Sequence, residues 1–190
     1  MPADLAIHDW PLPYETRLAH REPATIDLVV IHCTELPDMA MAREFGERVR
    51  YEHSQTGNSG HYYIDTDGRI HRFVANDRIA QHTYGYNPRS IGIELSNIGR
   101  YPHWGDSRYQ AFTVAYTKQQ IDALLALLRQ LRTDLPNLRY IAGHEDLDRR
   151  LEPATDDPSI MLRRRQDPGP LFPWEQVVPA SGLERFAPPR

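Results

Sequence analysis

Four residues of this chain have the side chains and surroundings that hydrolytic metal chemistry needs. His32 ends the apolar run IDLVVIH and His144 ends RYIAGH. Ligands of open α/β sheets collect outside the carboxyl ends of strands, so both imidazoles could meet in one crevice. Neutral imidazole is the commonest zinc ligand, and a catalytic zinc takes three protein ligands and keeps one position open. Asp167 is the third candidate, because the two prolines of Asp167-Pro168-Gly169-Pro170 limit the entropy lost on ordering its carboxylate. Glu94 interrupts the apolar strand SIGIEL. A carboxylate there is costly to bury unless paired or working, and desolvation raises its pKa toward the range suited to accepting a proton from water.

Each of these has a plainer alternative. The histidines could be hydrogen-bonded strand ends, Asp167 the start of a turn, and Glu94 half of an ion pair with one of many arginines. Spacing alone favours the plainer reading of the two histidines and Asp167, since more than half the chain lies between His32 and His144 and no HExxH signature occurs. Arg163, Arg164 and Arg165 likewise read most simply as a solvated charged run. The remaining candidates are weaker. His8, His20, His53, His71 and His103 fall in loops, polar faces or surface segments. Cys33 follows His32 in an extended segment, so its side chain points to the opposite face, and it reads as a small buried apolar residue.

The elements that must position these groups are legible as a pattern. IDLVVIH (26–32) reads as a strand buried on both faces. HYYIDTDGRIHRFV (61–74) sets two aromatic and β-branched segments around Asp67-Gly68, a hairpin. SIGIEL (90–95) and RYIAGH (139–144) are two more strands. Thr117 and Gln120 form a capping box before Ile121, Leu124, Leu125, Leu128 and Leu131, which predicts a helix ending before Pro136. A second helix is expected from Met39 to about His53, with Met41, Phe45 and Val49 four apart and Gly46 interrupting it. Strands alternating with helices argue for an α/β sheet with helices packed on it. Residues 1–24 read as an N-terminal extension laid over the surface, and 179–190 as a C-terminal tail.

Composition narrows the function class. The 190 residues are 40% hydrophobic, enough for one core, and a net charge of −4 provides no whole-chain basic field, so nucleic acid is not an expected partner. No apolar stretch approaches the roughly 20 residues that cross a bilayer, so no membrane insertion is expected. The single cysteine cannot form an internal disulfide, and the start MPADLAIHDWPLPYE lacks the basic and apolar regions of a signal peptide. The expected location is cytoplasmic, with release by lysis or a dedicated export route as the alternative.

Six segments, in order, sharpen this: IDLVVIHCT, GHYYIDTDGRIHRFV, AQHTYGYNPRSIGIEL, YTKQQ, IAGHEDL and RRRQDPGPLFPW. Together they resemble the zinc-dependent N-acetylmuramoyl-L-alanine amidases of the amidase type 2 family, whose fold peptidoglycan recognition proteins and some phage lysozymes share. The resemblance spans about residues 25–178 and implies a single central mixed β-sheet flanked by α-helices. It implies Zn²⁺ held by His32, His144 and Asp167, with Glu94 carrying the proton of the attacking water. It also implies peptidoglycan fragments (muropeptides) or the sacculus as substrate, cut between N-acetylmuramic acid and L-alanine. Two departures stand out. Arg165 occupies the place of a lysine that helps stabilise the oxyanion; guanidinium is permanently charged and a poor proton donor, so only the electrostatic part of that role is expected. The stretch from His144 to Asp167 is also longer than usual, with EPATDDPSIML as a possible groove wall. His61, His82 and Asn87 match positions that line the cleft in relatives, so the resemblance implies that they contact the substrate. Trp104, with Tyr101 and Tyr109, lies in a long loop (97–112) suited to stacking on sugar rings or to packing a lid. Two rivals remain: a module that binds peptidoglycan without cutting it, and a cysteine hydrolase using Cys33.

Overall fold

The structure is a computed structural model that describes residues 5–188. The first four residues of the expected extension and the last two of the expected tail lie outside the described residues. Its centre is β2 (Leu28–Cys33), buried along its whole length. Parallel neighbours flank it: β5 (Ser90–Leu95) on one side and β6 (Tyr140–Gly143) on the other. Beyond β5 come β3 (Tyr62–Ile64) and β4 (Ile70–Arg72), the predicted hairpin, closed at Gly68 with φ +87°. That left-handed backbone is the reason a glycine stands there. The full order is β1-β4-β3-β5-β2-β6-β9, with β1 (Ile7–Asp9) and β9 (Glu184–Arg185) at the edges. Only β3–β4 is antiparallel, so the sheet is mixed, as expected.

Period-two alternation divides the labour of the central strands. Val29, Ile31, Ile91, Ile93 and Ile141 join the larger core, against Ile121, Leu124, Leu127, Leu128 and Leu131 of α2 (Lys118–Asp134) and Val177 of α4 (Trp174–Ser181). The residues between them, His32 and Glu94 included, face the opposite side. The Thr117–Gln120 capping box is present: Thr117 Oγ1 accepts from Gln120 N at 3.1 Å and Gln120 Oε1 accepts from Thr117 N at 3.0 Å. Leu127 takes the fully buried place that the spacing assigned to Leu125, which is only partly buried. Among the described residues no helix is long and apolar enough to cross a membrane.

Three expectations about elements need correction. The early helix, α1, runs only Met39–Glu47 and buries Met39, Ala42, Arg43 and Gly46 rather than a Met41–Phe45–Val49 stripe. Gly46, read as an interruption, is a contact point: a Cβ there would meet Leu12 at 3.4 Å, and its carbonyl accepts from Tyr14 Oη at 2.6 Å. The helix ends because Arg50 N and Tyr51 N turn to donate to Thr56 O, both at 2.9 Å, which leaves Val49 exposed. Residues 1–24 do not merely lie on the surface, since they supply β1 and the buried Leu12, Tyr14, Leu18 and Arg21. The expected tail 179–190 likewise supplies buried Ser181 and Leu183 and the edge strand β9.

Candidate active site

Strand register builds the site. Tyr63 pairs with Glu94 and Glu94 with His32, across three parallel or hairpin-linked strands. On the other flank Ile31 pairs with Gly143, so His144 falls one step on, in the same row. His144 does not close the strand as expected; it opens the single-turn helix α3 (His144–Leu147). Asp167 is brought to this row from the far end of the domain. Its carbonyl accepts from Glu145 N at 2.9 Å, and the next carbonyl, of Pro168, accepts from Tyr116 Oη at 2.7 Å. Gly169, at φ +85°, sits against the Phe112 ring, where a Cβ would come within 2.7 Å.

His32, His144 and Asp167 therefore meet although far apart in sequence. Their candidate ligand atoms all lie within 4.8 Å of one another, and all three residues are buried. Both Nδ1 atoms converge on one oxygen, Asp167 Oδ2, at 2.9 Å for His32 and 3.2 Å for His144. Glu94 Oε1 stands 4.0 Å from His32 Nδ1. Two imidazole nitrogens and a carboxylate oxygen on one point, with a second carboxylate close behind and a cleft in front, fit a divalent ion with a vacant position.

The electrostatics agree with the geometry. Burial lowers the His32 pKa to about 4, with the Asp167 hydrogen bond opposing, so the ring is neutral and able to coordinate. Burial works against charge on Asp167, but His144 and His32 outweigh it and hold the carboxyl well below its usual range. Glu94 goes the other way: burial first and Asp167 second raise it from 4.5 to about 8, with Arg165 opposing. These shifts predict a pH dependence for the metal-free protein. Neutral His32 contributes stability that grows as pH rises from about 4 to 6.5. The contribution of Glu94 is fully present below about 4.5 and is lost as pH rises through about 8. Its slope is at most about 1.4 kcal/mol per pH unit. Glu145, raised by burial to about 7, adds a loss of the same sign that is complete by about pH 7. The Tm of chelated protein is thus expected to fall between about pH 7 and 8 and to stay nearly level there in Glu94→Gln; a level wild-type profile would contradict the shift.

The cleft has a volume of about 690 Å³. Its lining combines the loop 97–112, the hairpin β7 (Leu151–Pro153) and β8 (Met161–Arg163) formed by the extra residues between His144 and Asp167, the end of α1 and the segment 81–87. The loop 97–112 and the hairpin dock on each other: Asp156 accepts from Ser107 N and Oγ at 2.7 Å, and Thr155 N donates to Gly105 O at 2.7 Å. Trp104 lines the cleft, 37% exposed, with Nε1 donating to Glu35 O at 3.2 Å. Tyr109 is half exposed and stacks on His103, while Tyr101 packs against the smaller core. The arginine run has three separate fates. Arg163 donates to Glu145 O, Arg164 pairs with Asp148 and Glu152, and Arg165 lines the cleft with a buried Nε that has no hydrogen-bond partner among the described residues.

The residues read as cleft-lining divide. His82 and Asn87 do line it, but Asn87 Oδ1 is occupied by His82 N (3.0 Å) and Thr83 N (2.7 Å). His61 does not: it is fully buried, its Nδ1 accepting from Gly92 N at 3.0 Å and its Nε2–H donating to Arg78 O at 3.1 Å. A buried neutral imidazole has one lone pair and one N–H to satisfy, and two backbone groups, Gly92 N and Arg78 O, supply both partners. Cys33 is buried, its Sγ 3.4 Å from Asn97 O, and burial pushes its thiol well above the usual value, which opposes the cysteine-hydrolase reading.

Sequence reading missed Glu35 and Arg100. They form a buried ion pair at the cleft, with both guanidinium contacts at 2.7 Å, and tie the 97–112 loop to the end of β2. The only signal was an acid directly after the first strand, without a visible partner. Glu35→Ala leaves the Arg100 charge buried and unpaired, so a loss of about 3–5 kcal/mol in unfolding free energy is expected by urea denaturation. A change below 1 kcal/mol would show that the pair is dispensable.

Comparison with known proteins agrees with this architecture. The family model described as Amidase_2, N-acetylmuramoyl-L-alanine amidase, matches residues 22–170. N-acetylmuramoyl-L-alanine amidase AmiD of Escherichia coli (strain K12) is 33% identical over 92 residues. That match covers 48% of this chain and only 28% of AmiD. In structure the chain is similar to N-acetylmuramoyl-L-alanine amidase LysC from Clostridium intestinale URNW, with a TM-score of 0.66 and 22% identity over 94% of this chain and 98% of that one. It is also similar to the E. coli AmiD complex with the substrate anhydro-N-acetylmuramic acid-L-Ala-D-gamma-Glu-L-Lys, with a TM-score of 0.61 and 24% identity over 84% and 58% of the two chains. With the family model covering most of its length, this chain belongs to the amidase type 2 family of N-acetylmuramoyl-L-alanine amidases.

Proposed function

We propose that this protein is a zinc-dependent hydrolase of the amide between N-acetylmuramic acid and the L-alanine of a stem peptide. The observation that carries the reading is the row of Glu94, His32 and His144 with Asp167 closing on it, at the floor of the cleft. His32 and His144 through Nδ1, and Asp167 through Oδ2, would hold the ion. Bound there, zinc supplies Lewis acidity, polarising the scissile carbonyl and acidifying water. Glu94 Oε1 would take the proton of the attacking water and return it to the leaving amine; burial raises this carboxyl above its usual range, and the bound cation would favour its ionised form, so it can both accept and release a proton. The unpartnered Arg165 Nε is a donor offered to the negative charge that develops on the carbonyl oxygen. Arg165→Met is expected to lower kcat by about 10²–10³-fold with a smaller change in KM; an unchanged kcat would remove this role.

The cleft is of a size that takes a sugar–peptide fragment, and Trp104 offers it an aromatic edge. A free anhydro-muropeptide is the substrate we favour, on the strength of the ligand held by the AmiD complex, and turnover of released cell-wall fragments is the setting this fits. A module that only binds peptidoglycan would have no use for a carboxyl with a raised pKa beside a complete ligand set. Mass spectrometry of a defined anhydro-muropeptide after incubation tests the reading. The expected products are the anhydro-sugar and the intact peptide, together one water heavier than the substrate. An uncut substrate, or cleavage within the peptide, would overturn it.

A further inference from the structure

His82 was expected to touch substrate, but its ring makes a different set of contacts. Its Nδ1 lies 3.0 Å from His32 Nε2, the nitrogen of His32 that faces away from Asp167. Its Nε2 lies 3.2 Å from Ser90 Oγ, and Ser90 Oγ lies 2.8 Å from Tyr86 O. The ring is held flat against β5, where a Cβ on Gly92 would come within 2.6 Å of it. Asn87 fixes the backbone that carries it.

We propose that Tyr86 O, Ser90, His82 and His32 form a hydrogen-bond chain of fixed polarity that sets the tautomer in which His32 presents a bare Nδ1 to the metal. The direction follows from the carbonyl end. Two oxygens 2.8 Å apart need a hydrogen between them, and only the Ser90 hydroxyl has one, so it donates to Tyr86 O. Ser90 Oγ can then only accept from His82, which puts the His82 proton on Nε2 and leaves its Nδ1 bare. That bare nitrogen accepts from His32 Nε2–H, and the lone pair of His32 is left on Nδ1, 2.9 Å from Asp167 Oδ2, where a bound cation would take the place of the proton these two acceptors otherwise share. Thr83 Oγ1, 3.0 Å from His82 Nδ1, can donate to the same lone pair and does not reverse the order. His82 is thus a positioning residue acting through His32, in the way that a metal-bound histidine is commonly oriented by a partner on its other nitrogen. Gly92 is what lets the ring sit there.

The inference rests on the reading of His32 as a zinc ligand, and the test separates the two. In zinc-loaded protein labelled with ¹⁵N-histidine, long-range ¹H–¹⁵N spectra should place the His82 proton on Nε2. A proton on Nδ1 would overturn the chain while leaving the ligand set intact. Zinc affinity, measured by competition with a chromophoric chelator, should fall about 10–100-fold in His82→Leu. His82→Asn, whose Oδ1 falls where Nδ1 was and can accept, should bind within a few fold of wild type. An equal loss in both variants, or no loss in His82→Leu, would contradict the proposal. Wild-type protein that takes up no zinc would overturn the ligand reading itself, and the chain with it.

Discussion

Glu94→Gln is expected to lower kcat on a muropeptide by about 10²–10⁴-fold while zinc is still bound at one equivalent. The substitution keeps volume and hydrogen-bonding shape and removes only the ability to carry a proton. Glu94 Oε1 lies 4.0 Å from His32 Nδ1, beside the residues that would hold the ion. Its side chain is only 15% exposed, so bulk water is a poor substitute for it. The amide nitrogen must be protonated to leave, and the other carboxyl of the cluster, Asp167, is held well below its usual range by His144 and His32 and is a poor proton carrier. The measurement is steady-state kinetics beside metal analysis of the same sample. Retention of more than a tenth of wild-type turnover would mean that the proton travels by another route.

His144→Ala is expected to lose both the metal and the activity. Two ligands are left, and Asp167 loses one of the two imidazoles that oppose the cost of its burial. In wild type, zinc at 100 times its Kd should stabilise the fold by about 2.7 kcal/mol, a shift visible in thermal unfolding. In His144→Ala that shift should vanish, and metal analysis after dialysis should find the site empty. A variant that keeps its zinc and its thermal shift would show that His144 is not a ligand. Comparing the two variants separates binding from chemistry: one keeps the ion without turnover, the other keeps neither.

Strand ends made candidates of His32 and His144 and an interrupted strand made one of Glu94, while spacing alone left their grouping with Asp167 to the family resemblance. Strand β5 coincides with the apolar segment SIGIEL, and the position of Glu94 within it, on the face opposite Ile93 and Leu95, follows from alternation alone. The capping box located the start of α2 because two side chains must satisfy two particular backbone groups. What could not be read was set by partners far along the chain. Three-residue edge strands such as β1 show no period of their own; they exist because β4 and β6 offer an open edge. Gly46 looked like a helix fault until Leu12, from a segment with no pattern, came to lie on it. His61 and His82 carry the same ring, yet one is a buried strut held by the backbone at Gly92 and Arg78 and the other lines the cleft, a difference set by neighbours far along the chain. Glu35 gave no sign of its partner because Arg100 sits in an irregular loop.

Removal and restoration of the metal tests the central claim most directly. Protein stripped with a chelator and assayed on an anhydro-muropeptide should show no hydrolysis above background, and one equivalent of zinc should bring activity back to the wild-type level. Full turnover by protein verified to be metal-free would contradict a site built from His32, His144 and Asp167.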